Sequence, residues 1–288
     1  MKANPDSAPA LALAGASDAT EFERRRMTLA RRAGIRKIID RVIAIIVPII
    51  LWQLLSDYWV GKKWISSPLD IAQRLWSMLA DGSLQIHTWE TFKEAFIGLL
   101  VGILLGLIFG IVLGLWRRLS DALDPIIMGF YSLPRVSLAP LFIIWLGIGL
   151  VAKVALVASM VVFVVLFNVR EGVRNIDRDI VDSFRSMNAS RSALMRYVII
   201  PSLVPWLLTA IRIGIGMALV GAVVGELIGS SKGLGWYVSF ASGVYDMTGA
   251  MTALVVLMVL AMIFNGVLVV LEKRVMGWRR SNDASLQT

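Results

Sequence analysis

The segment DSFRSMNASRSALMRYVIIP, residues 182–201, is polar and rich in arginine. It lies between two apolar stretches of about 20 residues, the length at which a helix crosses the ~30 Å hydrocarbon core of a bilayer. Charged side chains are costly in that core, so the segment is expected to lie in water on one side of a membrane. What it touches there is the best guide to what the protein does.

The composition excludes an ordinary soluble domain. Of the 288 residues, 57% are hydrophobic and the mean hydropathy is +0.74, whereas soluble domains are about 45–50% apolar. The apolar residues occur in blocks long enough to span a bilayer. We therefore expect an all-α polytopic membrane protein, with a mobile cytoplasmic N-terminal tail at residues 1–35, a transmembrane domain at 36–275 and a cytoplasmic C-terminal tail at 276–288.

Six apolar spans are predicted. The third is broken by Pro134 and Pro140, because proline lacks the N–H that a helix interior needs. The second carries a glycine at every fourth position, which lets the backbone of another helix approach closely. These glycines are Gly98, Gly102, Gly106, Gly110 and Gly114, and the spans cover residues 38–59, 91–116, 124–146, 151–169, 205–228 and 248–271.

The distribution of basic residues tests the number of spans and predicts the orientation of the protein in the membrane. With six spans, every basic cluster falls on one side, and because cytoplasmic loops carry excess Lys and Arg, both termini are predicted to be cytoplasmic. This distribution also accounts for the net charge of +9 without nucleic-acid binding. The clusters contain Arg31, Arg32, Arg36, Lys37, Arg117, Arg118, Arg170, Arg174, Arg178, Arg185, Arg191, Arg196, Lys273, Arg274, Arg279 and Arg280; the opposite loops hold Lys62, Lys63, Arg74, Lys153 at a span edge and Lys232.

Two loops carry signals for further helices. In the outer loop, Pro68 and Asp70 mark a helix start, which predicts a short interfacial helix ending near Gly82. Just before the polar segment, Asp177 is placed to cap a helix that runs into it, to about Met187. The turn at Asn188 is followed by a second short helix capped by Ser190, and Pro201 and Pro205 mark the start of span five.

The polar segment has two interpretations. One is a solvated loop that only sets topology. The other is a docking surface, since Phe184, Met187, Leu194 and Tyr197 are apolar side chains of the kind that enter a partner's groove.

The same segment resembles the cytoplasmic signature loop of ABC importer permeases, EAA-x3-G-x9-I-x-L-P. Asp182 stands at the Glu position, Asn188 at the Gly position and Pro201 at the Pro position, while Phe184 departs from Ala. Residues 132–149 and 208–235 are similar to the third and fifth spans of the nitrate/sulfonate/taurine branch. In the latter stretch the matching residues are Thr209, Arg212, Glu226, Gly233, Leu234 and Gly235.

This resemblance implies a type I ABC importer transmembrane domain with six transmembrane helices and a cytoplasmic coupling-helix loop at about residues 170–201. It also implies a bacterial inner-membrane protein in which two permease subunits, identical or different, pair around a pathway. Two cytoplasmic ATPase subunits dock on the coupling helices, and a periplasmic or lipoprotein binding protein delivers substrate. The sequence has no GxxxxGK[ST] phosphate loop, so ATP and Mg are expected on the ATPase and no cofactor on this chain.

The resemblance and the composition of the spans together nominate two sets of residues. The predicted ATPase contacts are Asp182, Phe184, Arg185, Met187, Asn188, Ser190 and Arg191. The predicted pathway residues are Ser132, Arg135, Ser137 and Glu226. Arg135 lies roughly 17 Å into its span, where it meets an anion or satisfies carbonyls freed by the prolines. Glu226 gates the pathway or contacts the binding protein, and a structural role is favoured for Arg212.

The predicted function is import of a small anion such as a sulfonate, taurine, nitrate or a carboxylate. A permease of the same fold for a neutral or cationic small molecule is the alternative. A stand-alone secondary transporter would need coupling carboxylates inside the spans, and Glu94, Asp124 and Glu226 all lie near span ends. A membrane enzyme or a metal site is disfavoured, because His87 is the only histidine, lies in an outer loop and has no cluster around it, and there are no cysteines.

Overall fold

The computed structural model describes residues 40, 42–44, 46–61 and 64–276, without the side chains of residues 60, 178, 185 and 191. The predicted N-terminal tail and residues 277–288 lie outside this part of the chain. The regular elements within it are all helices, as the composition predicts. They are α1 (Val42–Trp59), α2 (Pro68–Ala80), α3 (Ser83–Leu115), α4 (Arg117–Ser132), α5 (Ala139–Leu146), α6 (Leu150–Arg174), α7 (Arg178–Ser186), α8 (Arg191–Leu194), α9 (Ile200–Gly229), α10 (Leu234–Gly243) and α11 (Met247–Val275).

The predicted span count is confirmed with one qualification. Within the described residues, α1, α3, α6, the continuous helix Ser192–Gly229 and α11 are long and apolar enough to cross a membrane. The sixth span is a bent pair, in which α4 meets the helical stretch Arg135–Leu146 at 80°. The bend lies at Leu133, which is extended with ψ 133° because it precedes Pro134. All contacts described below lie within residues 69–276.

The helices α3 and α6 run parallel and form the centre of the fold. Each of the five periodic glycines of α3 faces a valine of α6, in the pairs Gly98–Val157, Gly102–Val161, Gly106–Val165, Gly110–Val169 and Gly114–Val173. A Cβ atom at Gly102 would lie 2.6 Å from the Cβ of Val161. The predicted close approach is therefore confirmed, and its partner is α6. We call these five pairs the glycine–valine ladder.

The two ends of this helix pair differ in chemistry. The helices α3 and α6 both terminate near Arg117 and Arg174, and we call this the basic end. We call the opposite end, where both helices begin, the turn end. The helix α9 runs in the opposite direction, since its Trp206 packs on Gly172 near the basic end. There α9 is also joined to α11, because Arg212 forms an ion pair of 2.5 Å with Glu272.

Three expectations need correction. The helix α3 begins at Ser83, eight residues before the predicted span. Gly82, with φ +80°, forms the turn before it, and no proline or glycine interrupts the helix between Ser83 and the predicted start. As a result His87 lies in α3 rather than in a loop. The second helix of the polar segment is not separate from span five: α8 continues into α9 through a π-helical turn at Met195–Ile199. The widened turn lets the helix reach Pro201 without a break.

The α2 prediction is confirmed at both ends. The helix starts at Pro68 and ends at Ala80, just before Gly82. Between α2 and α3, the Asp81 carboxylate accepts a hydrogen bond of 2.8 Å from Ser83 N. Hydrogen bonds from Ser83 lower the pKa of this exposed carboxyl group. The helix α10 had no sequence prediction and fills the connection between α9 and α11.

Candidate functional site

The polar segment at the basic end has the local structure that its capping residues predict. Asp177 caps α7 by accepting a hydrogen bond of 2.9 Å from Asp179 N. Asn188 adopts the left-handed conformation, with φ +56°. Ser190 caps the following helix by accepting a bond of 3.2 Å from Ala193 N. The two helices therefore meet at a tight tip formed by residues 187–189.

The tip carries an exposed apolar side chain. Met187 is 78% exposed, and Tyr197, in the π-helical turn that follows α8, is 65% exposed. Of the other predicted ATPase contacts, Asp182, Asn188 and Ser190 are exposed and Phe184 is half-buried. The side chains of Arg185 and Arg191 lie outside what the structure describes. The segment thus presents Met187 and Asn188 at its outermost point.

The segment lies at the ends of the long helices. A cleft of about 650 Å³ lies between it and the bundle, lined by Leu115 of α3, Val173 of α6, Val181 of α7 and Leu194 of α8 among others. The chain itself joins the segment to the bundle, because α6 leads into α7 and α8 continues into α9, and Leu194 packs against the apolar core.

Ion pairs connect α6 to α4 at the same end. Arg170 binds Asp124 at 2.6 Å. Arg174 donates a hydrogen bond of 2.8 Å to Ser120 and lies 3.7 Å from Asp121. These bonds join the helix that leads into the polar segment to the first half of the bent span.

The predicted pathway residues near the bend all bond to local backbone. Ser132 donates to the Met128 carbonyl at 2.8 Å, and Ser137 to the Pro134 carbonyl at 2.6 Å. Arg135 donates to the Tyr131 carbonyl at 3.1 Å, and its guanidinium carbon lies 4.6 Å from the centre of the Phe163 ring. Arg135 thus donates to the carbonyl group of Tyr131, which lies just before the break at Pro134. Contact of these three residues with a solute remains a prediction.

Glu226 is fully buried at the turn end, and both of its carboxylate oxygens accept hydrogen bonds. The Thr91 hydroxyl donates to one oxygen at 2.7 Å, and Gly235 N donates to the other at 2.6 Å. Thr91 in turn accepts a bond of 2.8 Å from Leu234 N. Glu226 therefore fixes the α9–α10 turn, which passes through Gly233 at φ +111°.

A buried ion pair beside Glu226 was not predicted from the sequence. The Lys153 ammonium donates to a Glu94 carboxylate oxygen and, at 2.9 Å, to the Ser230 hydroxyl. In the sequence, Lys153 was interpreted as a basic residue at the edge of a span, so its pairing with Glu94 was not predicted. The signal was the spacing: Glu94 and Lys153 are 59 residues apart, as are the pairs of the glycine–valine ladder, so they form its next rung. We call Thr91, Glu94, Lys153 and Glu226 the turn-end cluster.

The single histidine also has a structural position at the turn end. His87 Nδ1 accepts a hydrogen bond of 3.1 Å from Gly233 N, and its ring stacks on Trp236 with centroids 5.3 Å apart. Among the described residues, no three His, Asp or Glu side chains are grouped so that they could hold a metal ion. Thr91, Glu226 and His87 therefore all bond to the α9–α10 turn.

Comparisons with known proteins give consistent results over most of the chain. A model of the family described as "Binding-protein-dependent transport system inner membrane component" matches residues 102–277. A riboflavin transport system permease protein of Chloroflexus aurantiacus is 36% identical over 75% of this chain and 81% of its own length. A protein of Escherichia coli named as an aliphatic sulfonates transport permease is 35% identical over 65% of this chain and 71% of its own. A formylaminopyrimidine transport permease protein of Halalkalibacterium halodurans is 26% identical over 80% and 92%.

Solved structures support the fold. An inward-facing structure of the MetNI methionine ABC transporter superposes with a TM-score of 0.60 at 22% identity, covering 66% of this chain and 94% of that one. An amino acid ABC transporter superposes with a TM-score of 0.51 at 17% identity, covering 72% and 97%. At these identities the likeness concerns the arrangement of the helices.

Proposed function

Because the chain belongs to the family of binding-protein-dependent transport system inner membrane components, we propose that it is the pathway-forming permease subunit of an importer driven by separate ATPase subunits. In this proposal two permease subunits pair around the pathway, and two ATPase subunits that hold ATP and Mg bind at the basic end. A periplasmic or lipoprotein binding protein delivers the solute at the turn end. The protein is a multi-pass membrane protein, and the bacterial inner membrane is its proposed location.

One observation carries this proposal: the exposed tip at Met187 and Asn188. An apolar side chain that is 78% exposed, on a segment whose two helices are both capped, buries little of its surface against the described residues. A short helix that enters a groove on a partner is a common recognition mode, and its anchors are apolar side chains of this kind. The predicted ATPase contacts Asp182, Phe184, Arg185, Met187, Asn188, Ser190 and Arg191 surround that point.

The distribution of charge supports a cytoplasmic position for the basic end. Arg117, Arg118, Lys273 and Arg274 lie at this end and are exposed. At the turn end, by contrast, Lys153 is buried in its ion pair. Excess of exposed Lys and Arg marks the cytoplasmic side of a membrane protein. With an even number of spans, both termini would then be cytoplasmic.

The proposed mechanism follows from the position of the polar segment between α6 and α9. When the ATPase subunits close on ATP and reopen after hydrolysis, a helix bound in their groove must move with them. Because α6 leads into α7 and α8 continues into α9, this motion passes to α6 and α9, and the close packing of α6 on α3 passes it to the central helix pair. The pair then rocks as a body and opens the pathway alternately to each side.

Two substitutions at the tip test this coupling. Met187→Asp places a charge in the docking contact, and Asn188→Pro cannot keep the φ of +56° because proline fixes φ near −65°. In proteoliposomes with the ATPase and the binding protein, both variants are expected to abolish uptake or disconnect it from hydrolysis. The matched controls are Met187→Leu and Asn188→Gly, which keep the apolar contact and the backbone conformation. Normal uptake with solute-stimulated hydrolysis in both test variants would contradict the proposal.

For the solute, the proposal is a small anion of the sulfonate type. It is supported by the sulfonate-named relative at 35% identity and by Arg135 close to the middle of the bent span. A neutral heterocycle is the second candidate. It is supported by the riboflavin-named relative at 36% identity and by the rings of Tyr131 and Phe163 that lie against Arg135, since aromatic faces stack on heterocycles.

Calorimetric titration of the cognate binding protein separates the two solute classes. Alkanesulfonates, taurine and nitrate represent the first class, and riboflavin and a pyrimidine represent the second. Saturable binding of a sulfonate with none of the heterocycles supports the anion proposal. The reverse result replaces it with the second candidate and leaves the permease assignment intact.

A further inference from the structure

Two described residues other than glycine have a left-handed backbone. Asn188 has φ +56° and Tyr245 has φ +59°. Asparagine is a common occupant of this conformation, and between α2 and α3 a glycine, Gly82, adopts it. A tyrosine in this conformation is unusual, because its Cβ crowds the following carbonyl group.

The backbone around Tyr245 explains why a left-handed residue is needed there. Asp246 N donates to the Ala241 carbonyl at 2.8 Å, and Tyr245 N donates to the Ser242 carbonyl at 3.2 Å. This pair of bonds is the Schellman motif that terminates α10, and Tyr245 occupies the position that usually holds glycine. The motif determines the conformation, but it gives no reason for a tyrosine.

The side chain of Tyr245 gains nothing within the described part of the chain. It is 91% exposed, and the neighbouring Val244 is 59% exposed. No ring contact or hydrogen bond of its side chain is found among residues 69–276. The base beneath it is nevertheless rigid, because Asp246 caps α11 by accepting a bond of 2.9 Å from Gly249 N and forms an ion pair with Arg74 of α2. A strained, exposed aromatic group on a fixed base is typical of a contact with another molecule.

The position of Tyr245 favours a soluble partner over the lipid. At helical rise, Tyr245 lies about 40 Å along α11 from Glu272, whose ion pair with Arg212 marks the basic end, whereas the hydrocarbon core is ~30 Å thick. Because a charged pair is costly inside the core, we place the Arg212–Glu272 pair at one boundary, and Tyr245 then projects beyond the other boundary at the turn end. The ion pair of Arg74 with Asp246 next to it is also consistent with a watery setting.

We infer that Tyr245 is a docking contact for the soluble binding protein, inserted into a groove on that protein when it delivers the solute. The inference rests on the proposed function, which places the binding protein at the turn end. Tyrosine suits this task because it offers a large contact area with few rotatable bonds.

The test uses the assembled transporter, with both ATPase subunits, in nanodiscs. ATP hydrolysis is titrated with solute-loaded binding protein, and thermal unfolding of each variant is recorded separately. Tyr245→Gly and Tyr245→Asn relieve the backbone strain, so the unfolding temperature is expected to stay level or rise. The binding-protein concentration for half-maximal hydrolysis is expected to rise about tenfold in both variants. Tyr245→Phe, which keeps the ring, should retain most of the affinity.

The control is Tyr58→Asn, which removes another exposed tyrosine, one that lies in a π-helical turn and has a negative φ. It should leave the half-saturation concentration unchanged. Unchanged half-saturation in Tyr245→Gly and Tyr245→Asn overturns the inference, and a lower yield of assembled transporter whose half-saturation is unchanged assigns Tyr245 to the lipid interface instead. If the unmodified transporter shows no stimulation by any binding protein, the proposed function itself fails.

Discussion

The two ends of the helix bundle differ in how their polar and apolar side chains are used. At the turn end, three ionisable side chains, Glu94, Lys153 and Glu226, are buried and bonded to one another or to a glycine turn. At the basic end, the polar segment is held by short-range caps and leaves Met187 exposed. The turn-end cluster uses its polar groups for internal contacts, and the polar segment keeps its tip available. The difference predicts that the turn-end cluster carries stability, whereas the polar segment carries the connection to the ATPase subunits.

The largest expected effect comes from Lys153→Met. It leaves the buried Glu94 carboxylate without its counter-ion, and breaking such a pair typically costs about 3–5 kcal/mol. Thermal or denaturant unfolding of the purified protein in detergent measures the loss. The double variant Glu94→Gln with Lys153→Met removes both charges and should recover most of the stability. If the single variant is as stable as the unmodified protein, the turn-end cluster does not have the role described above.

The glycine–valine ladder provides the next effect. A Cβ at Gly106 would lie 2.6 Å from the Val162 carbonyl oxygen, which belongs to the backbone and cannot move aside easily. Gly106→Ala is therefore expected to cost about 1–3 kcal/mol, the usual range for overpacking. Gly266 of α11 is the matched control, since a Cβ there meets nothing within 4 Å. Gly266→Ala should be neutral or stabilising by up to about 1 kcal/mol.

Glu226→Gln is expected to have a smaller effect. The amide keeps one acceptor oxygen but places its NH2 group against either Gly235 N or the Thr91 hydroxyl. One of the two hydrogen bonds that the carboxylate accepts is therefore lost, which costs about 1.5 kcal/mol in free energy of unfolding. Because both carboxylate oxygens are occupied by protein donors, uptake per folded transporter should be retained. A normal unfolding temperature with lost uptake would instead assign Glu226 to the gate.

Short-range signals in the sequence were sufficient for the basic end. Capping by Asp177 and Ser190 and the left-handed turn at Asn188 depend on residues within three positions of each other, so their chemistry is visible in one stretch of chain. The separate second helix was a wrong prediction, because Pro201 indicates a break and the π-helical turn before it removes the need for one. The period of the α3 glycines likewise predicted a close helix, although it did not identify α6.

Long-range pairings at the turn end were not predictable in the same way. Glu94 and Lys153 meet only because α3 and α6 are parallel and in one particular register, and that register is set by the ladder below them. Each residue alone resembled a charge at the border of a span. The helix α10 was missed because its ten residues have no polar cap and follow a glycine turn, which is typical of a loop.

The smallest expected change in stability comes from the basic end. Met187→Ala removes a side chain that is 78% exposed, so the free energy of unfolding should change by no more than about 0.5 kcal/mol. Binding of the ATPase subunits, measured by co-purification, should nevertheless weaken, since the apolar anchor of the tip is gone. This is the reverse of the Glu226→Gln result, in which stability falls and uptake per folded transporter persists. If Met187→Ala destabilised the protein as much as Glu226→Gln does, Met187 would have to pack within the folded chain, and the two ends would not divide their tasks in the way their contacts indicate.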